Sequence, residues 1–314
     1  MAWPTWTFHL KVITPLAMGG ADARSAEWRA PSIKGMMRWW FRVAGGRRED
    51  EDRLFGSVRG EQAQASGVRV YVTTPAGRLQ DCSLNLPAPY FGFSLKMNRR
   101  QCFSPGTSLT VTLTCAPWLS KTDQQMVLAS FWLAVYLGCF GSRSRKGYGS
   151  LWPNRMPESD RGSMGLLFPL VPERVPIRDA LQRVLGLFET GGRIREIRWC
   201  EKPWRSVQGE YRELRRNLGV PNKALLGYPF ASGESGEREN WPDRHASPLI
   251  IKPLNLQRGP CIITFLHVPR EVQNQFGLDE QVLVRKVHRF LEDVESQSIW
   301  EHKGQGRPNG VVRE

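Results

Sequence analysis

From residue 5 to residue 13 the chain alternates, with Trp6, Phe8, Leu10 and Val12 on one side and Thr7, His9 and Lys11 on the other. That period of two is the mark of a strand with one buried face. A glycine-containing loop over 14–30 follows, and Ser32 behind Pro31 reads as a helix N-cap. Ile33, Met36, Met37, Trp40 and Phe41 then recur at helical spacing and predict a helix over about 33–43. Val68, Val70 and Val72 mark a second strand; Leu109, Val111 and Leu113, alternating with Thr110, Thr112 and Thr114, mark a third. Ser120 and Asp123 open the strongest helical run, which carries Met126, Val127, Phe131, Trp132 and Val135 to a stop at Gly138. Residues 148–152 supply a last short strand.

The order β-α-β-β-α-β predicts an α+β fold of ferredoxin-like type, an antiparallel sheet with both helices on one face. Beyond it the pattern is less regular, with helices expected at 175–188 and 279–294 and strands at 249–254 and 261–268. These suggest a second, degraded copy of the unit. The expected organisation is two tandem ferredoxin-like domains at 1–160 and 161–302, followed by a flexible tail at 303–314. The polar, breaker-rich stretch 232–247 reads as a loop.

At 314 residues, 40% of them hydrophobic, the chain is long enough for a substantial core. Forty-four Lys and Arg against 30 Asp and Glu leave a net charge of +14. That balance points to a polyanionic partner, nucleic acid before an anionic membrane surface. No apolar run approaches the ~20 residues that span a bilayer; residues 126–137 read as a core helix, and no signal peptide is expected. The cysteines, Cys82, Cys102, Cys115, Cys139, Cys200 and Cys261, are scattered without a C-x-x-C pair. Neither a zinc site nor a dense disulfide framework is expected, and a reducing cytoplasm fits.

Candidate chemistry concentrates at 138–149, which carries Gly138, Gly141, Gly147 and Gly149 with Arg143, Arg145, Lys146 and Tyr148. Glycines let a backbone approach a ligand, the three cations offer phosphate partners, and Tyr148 offers a stacking face. No acidic residue opposes a polyanion there. The same residues also fit a helix C-cap followed by a solvated turn. The stretch is not a Walker loop, and no dinucleotide fingerprint follows a strand, so no cofactor is expected. Lys34, Arg38 and Arg42 fall at i, i+4 and i+8, a basic stripe opposite the apolar helix face. Together with the loop it makes a candidate RNA track; by itself it is an ordinary solvated surface. A third cluster sets Arg193, Arg195, Arg198, Lys202, Arg205, Arg212, Arg215 and Arg216 among Trp199, Trp204 and Tyr211. It suits single-stranded RNA, or else buries its aromatics and pairs its arginines with Glu196, Glu201, Glu210 and Glu213.

Several ordered segments resemble one family. Residues 14–22 (TPLAMGGAD), 29–40 (RAPSIKGMMRWW), 54–57 (LFGS), 141–151 (GSRSRKGYGSL) and 244–249 (RHASPL) are similar to blocks of the first-numbered subunits of the type III-B Cmr complex, within the RAMP superfamily of CRISPR effector proteins. The resemblance implies tandem ferredoxin-like domains and a multisubunit particle built around a guide RNA. It further implies a place near the guide's 3′ portion, beside another RAMP subunit, where the chain helps to capture target RNA.

A metal-independent RNase needs a base near the ribose 2′-OH and an acid for the leaving oxygen. Of the five histidines, His9 lies outward on the first strand, His267 in a strand and His288 on a helix; His245 and His302 lie in the second-half motif and near the tail. The resemblance draws attention to His9, since guide-processing RAMP nucleases place histidines near the RNA face. It also draws attention to Asp22, since backbone RAMP subunits cut with a loop aspartate. Asp22 equally fits a turn-forming residue or a partner for Arg24. No carboxylate pair has metal-ligand spacing. The expectation is a binding subunit with no catalytic residue and no metal.

Overall fold

The apolar side of the first alternation is buried as its period requires: Trp6, Phe8, Leu10 and Val12 of β1 (Thr5–Val12) lie in the core. The structure is a computed structural model and describes residues 3–22, 24–59, 61–73, 79–82, 86–159, 162–188, 192–218, 226, 246–256, 259–276 and 279–302. Helix α1 (Ala30–Ala44) begins earlier than expected, with Arg29 at the N-cap and Ser32 inside the first turn. Pro31 suits that turn because its φ is preset and its missing N–H has no partner there to lose. After α2 (Arg48–Phe55) come the hairpin β2 (Ser57–Arg59) and β3 (Gln62–Gln64), then β4 (Val68–Thr73), β5 (Leu79–Asp81), α3 (Phe93–Met97), β6 (Gln101–Phe103) and β7 (Ser108–Cys115). Ser120 and Asp123 close a reciprocal capping box on α4 (Lys121–Tyr136). Strands β8 (Leu151–Pro153) and β9 (Glu158–Ser159) complete the first half. Tyr148 precedes β8 and is not part of it.

The first sheet runs β4-β7-β1-β8, with β9 beside β1, and every pairing is antiparallel. Its apolar face packs on α1 and α4 through Ile33, Met37, Trp40, Phe41 and Phe131. Thr5, Thr7 and His9 of β1 pair with Thr114, Thr112 and Thr110 on the opposite face.

The second half contains α5 (Arg174–Leu185), β10 (Ile194–Cys200), α6 (Trp204–Leu218), β11 (Leu249–Pro253), β12 (Cys261–Leu266), α7 (Arg270–Phe276), α8 (Glu280–Asp293) and β13 (Ser296–Glu301). Its sheet runs β11-β12-β10-β13, also antiparallel. Taken in chain order, both sheets place their strands second, third, first, fourth. Every residue of β11 and β12 is buried. One face of this sheet meets α6 and α8, while Ile197, Ile250 and Ile262 on the other join the core of the first half. Strands buried on both faces read as continuous apolar runs, which is why these two are visible in the sequence.

Cys82 and Cys102 form a disulfide, with Cα atoms 5.7 Å apart, because the antiparallel pairing of β5 with β6 brings the two segments together. The other four cysteines are free and buried. Among the described residues no helix is long and apolar enough to cross a membrane, and no cluster of three or more His, Cys, Asp or Glu has the arrangement to hold a metal. Residues 232–245 of the loop expected at 232–247, Arg244 and His245 among them, and the tail expected at 303–314 lie outside the described residues.

Candidate nucleic-acid interface

The segment that joins α4 to β8 is threaded between the two halves. Ser142 donates from its backbone to Ala17 O at 2.8 Å and Gly149 to Pro15 O at 3.0 Å, tying it to the loop after β1. Gly147 and Gly149 have φ of 89° and 75°, a conformation that side chains avoid. A Cβ at Gly147 would lie 2.7 Å from Trp204 Nε1, and one at Gly149 would collide with the carbonyl oxygen of Phe140. These glycines, and Gly141 against Ala17, let the chain approach itself, a packing role beside the ligand role expected of them. The stacking role expected of Tyr148 is corrected. It is fully buried, its hydroxyl donating to Ala88 O at 2.9 Å and its ring edge-on to Trp204, so it offers no stacking face.

The three cations remain together on a short 3-10 turn over Ser144–Lys146 and its N-cap, Arg143, which is itself left-handed at φ 62°. Arg143 donates to Phe91 O at 2.8 Å. Arg145 donates to Ser247 O, and its guanidinium lies 4.6 Å from the Trp39 ring centroid. Lys146 donates to the Tyr211 hydroxyl and, at 3.3 Å, to Ser247 Oγ. None of the three has a carboxylate partner among the described residues. Burial, aided by Arg193, pulls the Arg145 guanidinium down to about 10. Burial and then Arg215, Arg143 and Arg145 push Lys146 well below the usual lysine range. Arg193 Nε is itself a buried donor without a hydrogen-bond partner among the described residues. Uncompensated cations in a half-buried setting are electrostatically poised for an anion.

The stripe on α1 is used differently. Lys34 donates to Ser66 Oγ at 2.6 Å and Val68 O at 3.1 Å. Arg38 pairs with the buried carboxylate of Glu51, and Arg42 lies 3.7 Å from the same group. Acidic α2 thus offsets much of the stripe's charge, and it is Trp39, not the stripe, that brings α1 to the loop.

The third cluster divides along the face of a helix. Trp204, Val207, Tyr211, Leu214 and Leu218 are buried at spacings of three and four, so α6 is amphipathic with its arginines outward. Trp199 is also core. Arg198 pairs with Glu196 at 2.5 Å, Lys202 with Glu295 at 3.1 Å and Arg216 with Glu213. The helical spacing of the aromatics is the signal that identifies α6, and the cations between them obscure it. Arg193 joins the loop electrostatically, as does Arg215 of α6.

His9 is held on the sheet by Thr110 Oγ1 at 3.2 Å and Glu158 Oε1 at 2.9 Å. Asp22 accepts from the Arg24 backbone at 2.9 Å and from Ser25 Oγ at 2.5 Å, and these hydrogen bonds hold its carboxyl below the ordinary aspartate value. This is the turn-forming arrangement. The two share no partner.

A family model described as the RAMP superfamily matches residues 9–152, which include α1 and the loop. The chain is 33% identical over 184 residues to the CRISPR system Cmr subunit Cmr1-2 of Pyrococcus furiosus, an alignment covering 46% of the chain and 92% of that protein. The chain belongs to the Cmr1 family of the RAMP superfamily. Cmr1-1 of the same organism is 32% identical over 185 residues, covering 51% of the chain and half of that longer protein. The crystal structure of P. furiosus Cmr1 in its apo form superposes with a TM-score of 0.63 at 23% identity, over 95% of this chain and 99% of that one. A subunit in the cryo-EM structure of the type III-B Cmr-beta bound to cognate target RNA gives 0.60 at 13% identity, over 94% and 99%. The two-sheet architecture is therefore the Cmr1 fold.

Proposed function

We propose that this Cmr1-family chain is a non-catalytic RNA-binding subunit of a type III-B CRISPR effector complex, assembling with other Cmr-type RAMP subunits on a guide RNA. In this reading it sits near the guide's 3′ portion and helps to capture target RNA, as the family resemblance implies. The observation that carries it is the group Arg143, Arg145 and Lys146, which has no carboxylate partner among the described residues and is crowded by Arg193 and Arg215. A strand of phosphates supplies the missing countercharge. The stripe of Lys34, Arg38 and Arg42 forms a weaker flank, because Glu51 already engages two of its members. Tandem ferredoxin-like domains at 1–160 and 161–302 belong to the same proposal, supported by the strand order that the two sheets share.

The test is the dissociation constant for single-stranded RNA between about 50 and 200 mM salt, in the wild type and in Arg143→Ala, Arg145→Ala and Lys146→Ala. Removing one phosphate-neutralising cation lowers the slope of log affinity against log salt by about 0.7. Because an approaching phosphate favours protonated Lys146, affinity also falls as pH rises. An unchanged slope in all three variants refutes the assignment of the loop. RNA cleavage by the purified chain, abolished in His9→Ala or Asp22→Ala, refutes its non-catalytic character.

A further inference from the structure

Beside the loop lies a pocket of about 220 Å³ walled by Met36, Trp39 and Trp40 of α1, by Gly138 and Arg145, and by Ile250 of β11. Its size is below the ~300 Å³ at which pockets begin to enclose drug-sized ligands, and suits a single flat ring system. Two features of its wall are unusual for a simple packing defect. Trp40 is fully buried, yet its indole N–H has no hydrogen-bond partner among the described residues. A buried donor left in this state costs stability, and native proteins rarely keep one without a use. Only glycine fits at residue 138 beside this donor: a Cβ there would lie 2.5 Å from Trp40 Nε1. The second feature is the half-buried Trp39 ring, over which the Arg145 guanidinium already places its Cζ 4.6 Å from the centroid.

We infer that this pocket receives one nucleobase turned out of a bound RNA strand, stacked against Trp39 and Arg145, with a ring nitrogen or carbonyl oxygen accepting from Trp40 Nε1. The inference rests on the RNA-binding reading above and adds a base contact to its phosphate contacts. Every base has a flat face and an acceptor on its edge, so a pocket of this composition holds a base without demanding one sequence. The position fits the strand. Arg145 is both the pocket wall and the middle cation of the loop, so a base in the pocket leaves its own phosphates beside Lys146 and Arg143. A protein side chain would answer the aromatic wall but would leave those cations without countercharge.

The experiment compares a short single-stranded oligoribonucleotide with the ribose-phosphate polymer of the same length that lacks its bases. Both are titrated against the wild type, Trp39→Ala and Trp39→Phe over a range of salt. The wild type is expected to bind the oligoribonucleotide about fivefold or more tightly than the abasic polymer, the least that stacking on an aromatic ring contributes. In Trp39→Ala that preference collapses while the salt slope of either polymer is unchanged; Trp39→Phe, which keeps a ring, retains most of it. Equal binding of the two polymers by the wild type overturns the pocket assignment and leaves the phosphate assignment standing. A preference that survives in Trp39→Ala also overturns it, since the bases are then read elsewhere. Loss of salt-dependent binding for both polymers in the wild type removes the RNA reading, and this proposal with it.

Discussion

Lys252 lies on β11 between the two halves, with no exposed surface, and its ammonium donates to Leu151 O of β8 at 2.7 Å. Burial pulls its pKa from 10.5 to about 8, Cys139 acting weakly in the other direction. The folded protein therefore releases this proton more readily than the unfolded chain. Between pH 8 and 10.5 the unfolded state binds more protons, so stability rises with pH across that window and is lost again as pH falls through the folded value. At about 1.4 kcal/mol for each pH unit the whole effect is about 3 kcal/mol, most of it between pH 7 and 10. Other groups titrate in the same range, so the measurement is a difference. Urea unfolding of the wild type and of Lys252→Met is followed at pH 7, 8, 9 and 10. The stability of the wild type relative to the variant is expected to climb by about 2 to 3 kcal/mol across the series. Cys139, whose thiol burial holds at about 11, stays protonated throughout and does not confuse the comparison. A difference that stays level, or that falls with pH, refutes the reasoning.

Asp123→Ala removes the α4 capping box and the partner of Arg53, and is expected to cost about 2 kcal/mol in chemical denaturation at neutral pH. The wild type loses the same contribution in acid, because Arg53 and Ser120 hold this carboxyl below its ordinary value and protonation breaks both interactions. Gly149→Ala combines a left-handed backbone with a collision at Phe140 O and is expected to lower the thermal midpoint severely or prevent recovery of folded protein; a midpoint within a degree or two of the wild type contradicts the packing described. Reducing the Cys82–Cys102 bond, whose partners are 20 residues apart, is expected to cost about 3 kcal/mol, read from unfolding with and without a thiol reductant.

How far the sequence speaks for itself differs between the halves. The alternation of β1 and β7 and the capping box at Ser120 and Asp123 are local signals, and they locate their elements to within a residue or three. Strand β10 escapes a local reading because its alternation is interrupted by irregular pairing near Glu196, a buried carboxylate whose partner Arg198 is two residues away. β13 reads SQSIWE, polar enough to resemble a loop, and owes its place to its neighbour β10. In the candidate site, the three loop cations are legible as a group. What is not legible is the closure of α6 and β11 over them. Tyr148 looks like a surface ring because Ala88 and Trp204, which enclose it, are 60 and 56 residues away, and no local pattern reports a contact of that range. The Cys82–Cys102 pairing is hidden for the same reason.

The donors that we propose meet the anion also clasp the two halves, since Arg145 and Lys146 reach Ser247 and Lys146 reaches Tyr211 of α6. A ligand seated on them is thermodynamically coupled to the docking of the C-terminal half. Saturating RNA at about a hundred times its dissociation constant then adds about 2.7 kcal/mol against opening of the seam. Conversely, a substitution far out on α6 that loosens the seam weakens RNA affinity while touching no nucleotide. Amide hydrogen exchange in β11, slowed by RNA, is where that coupling becomes visible.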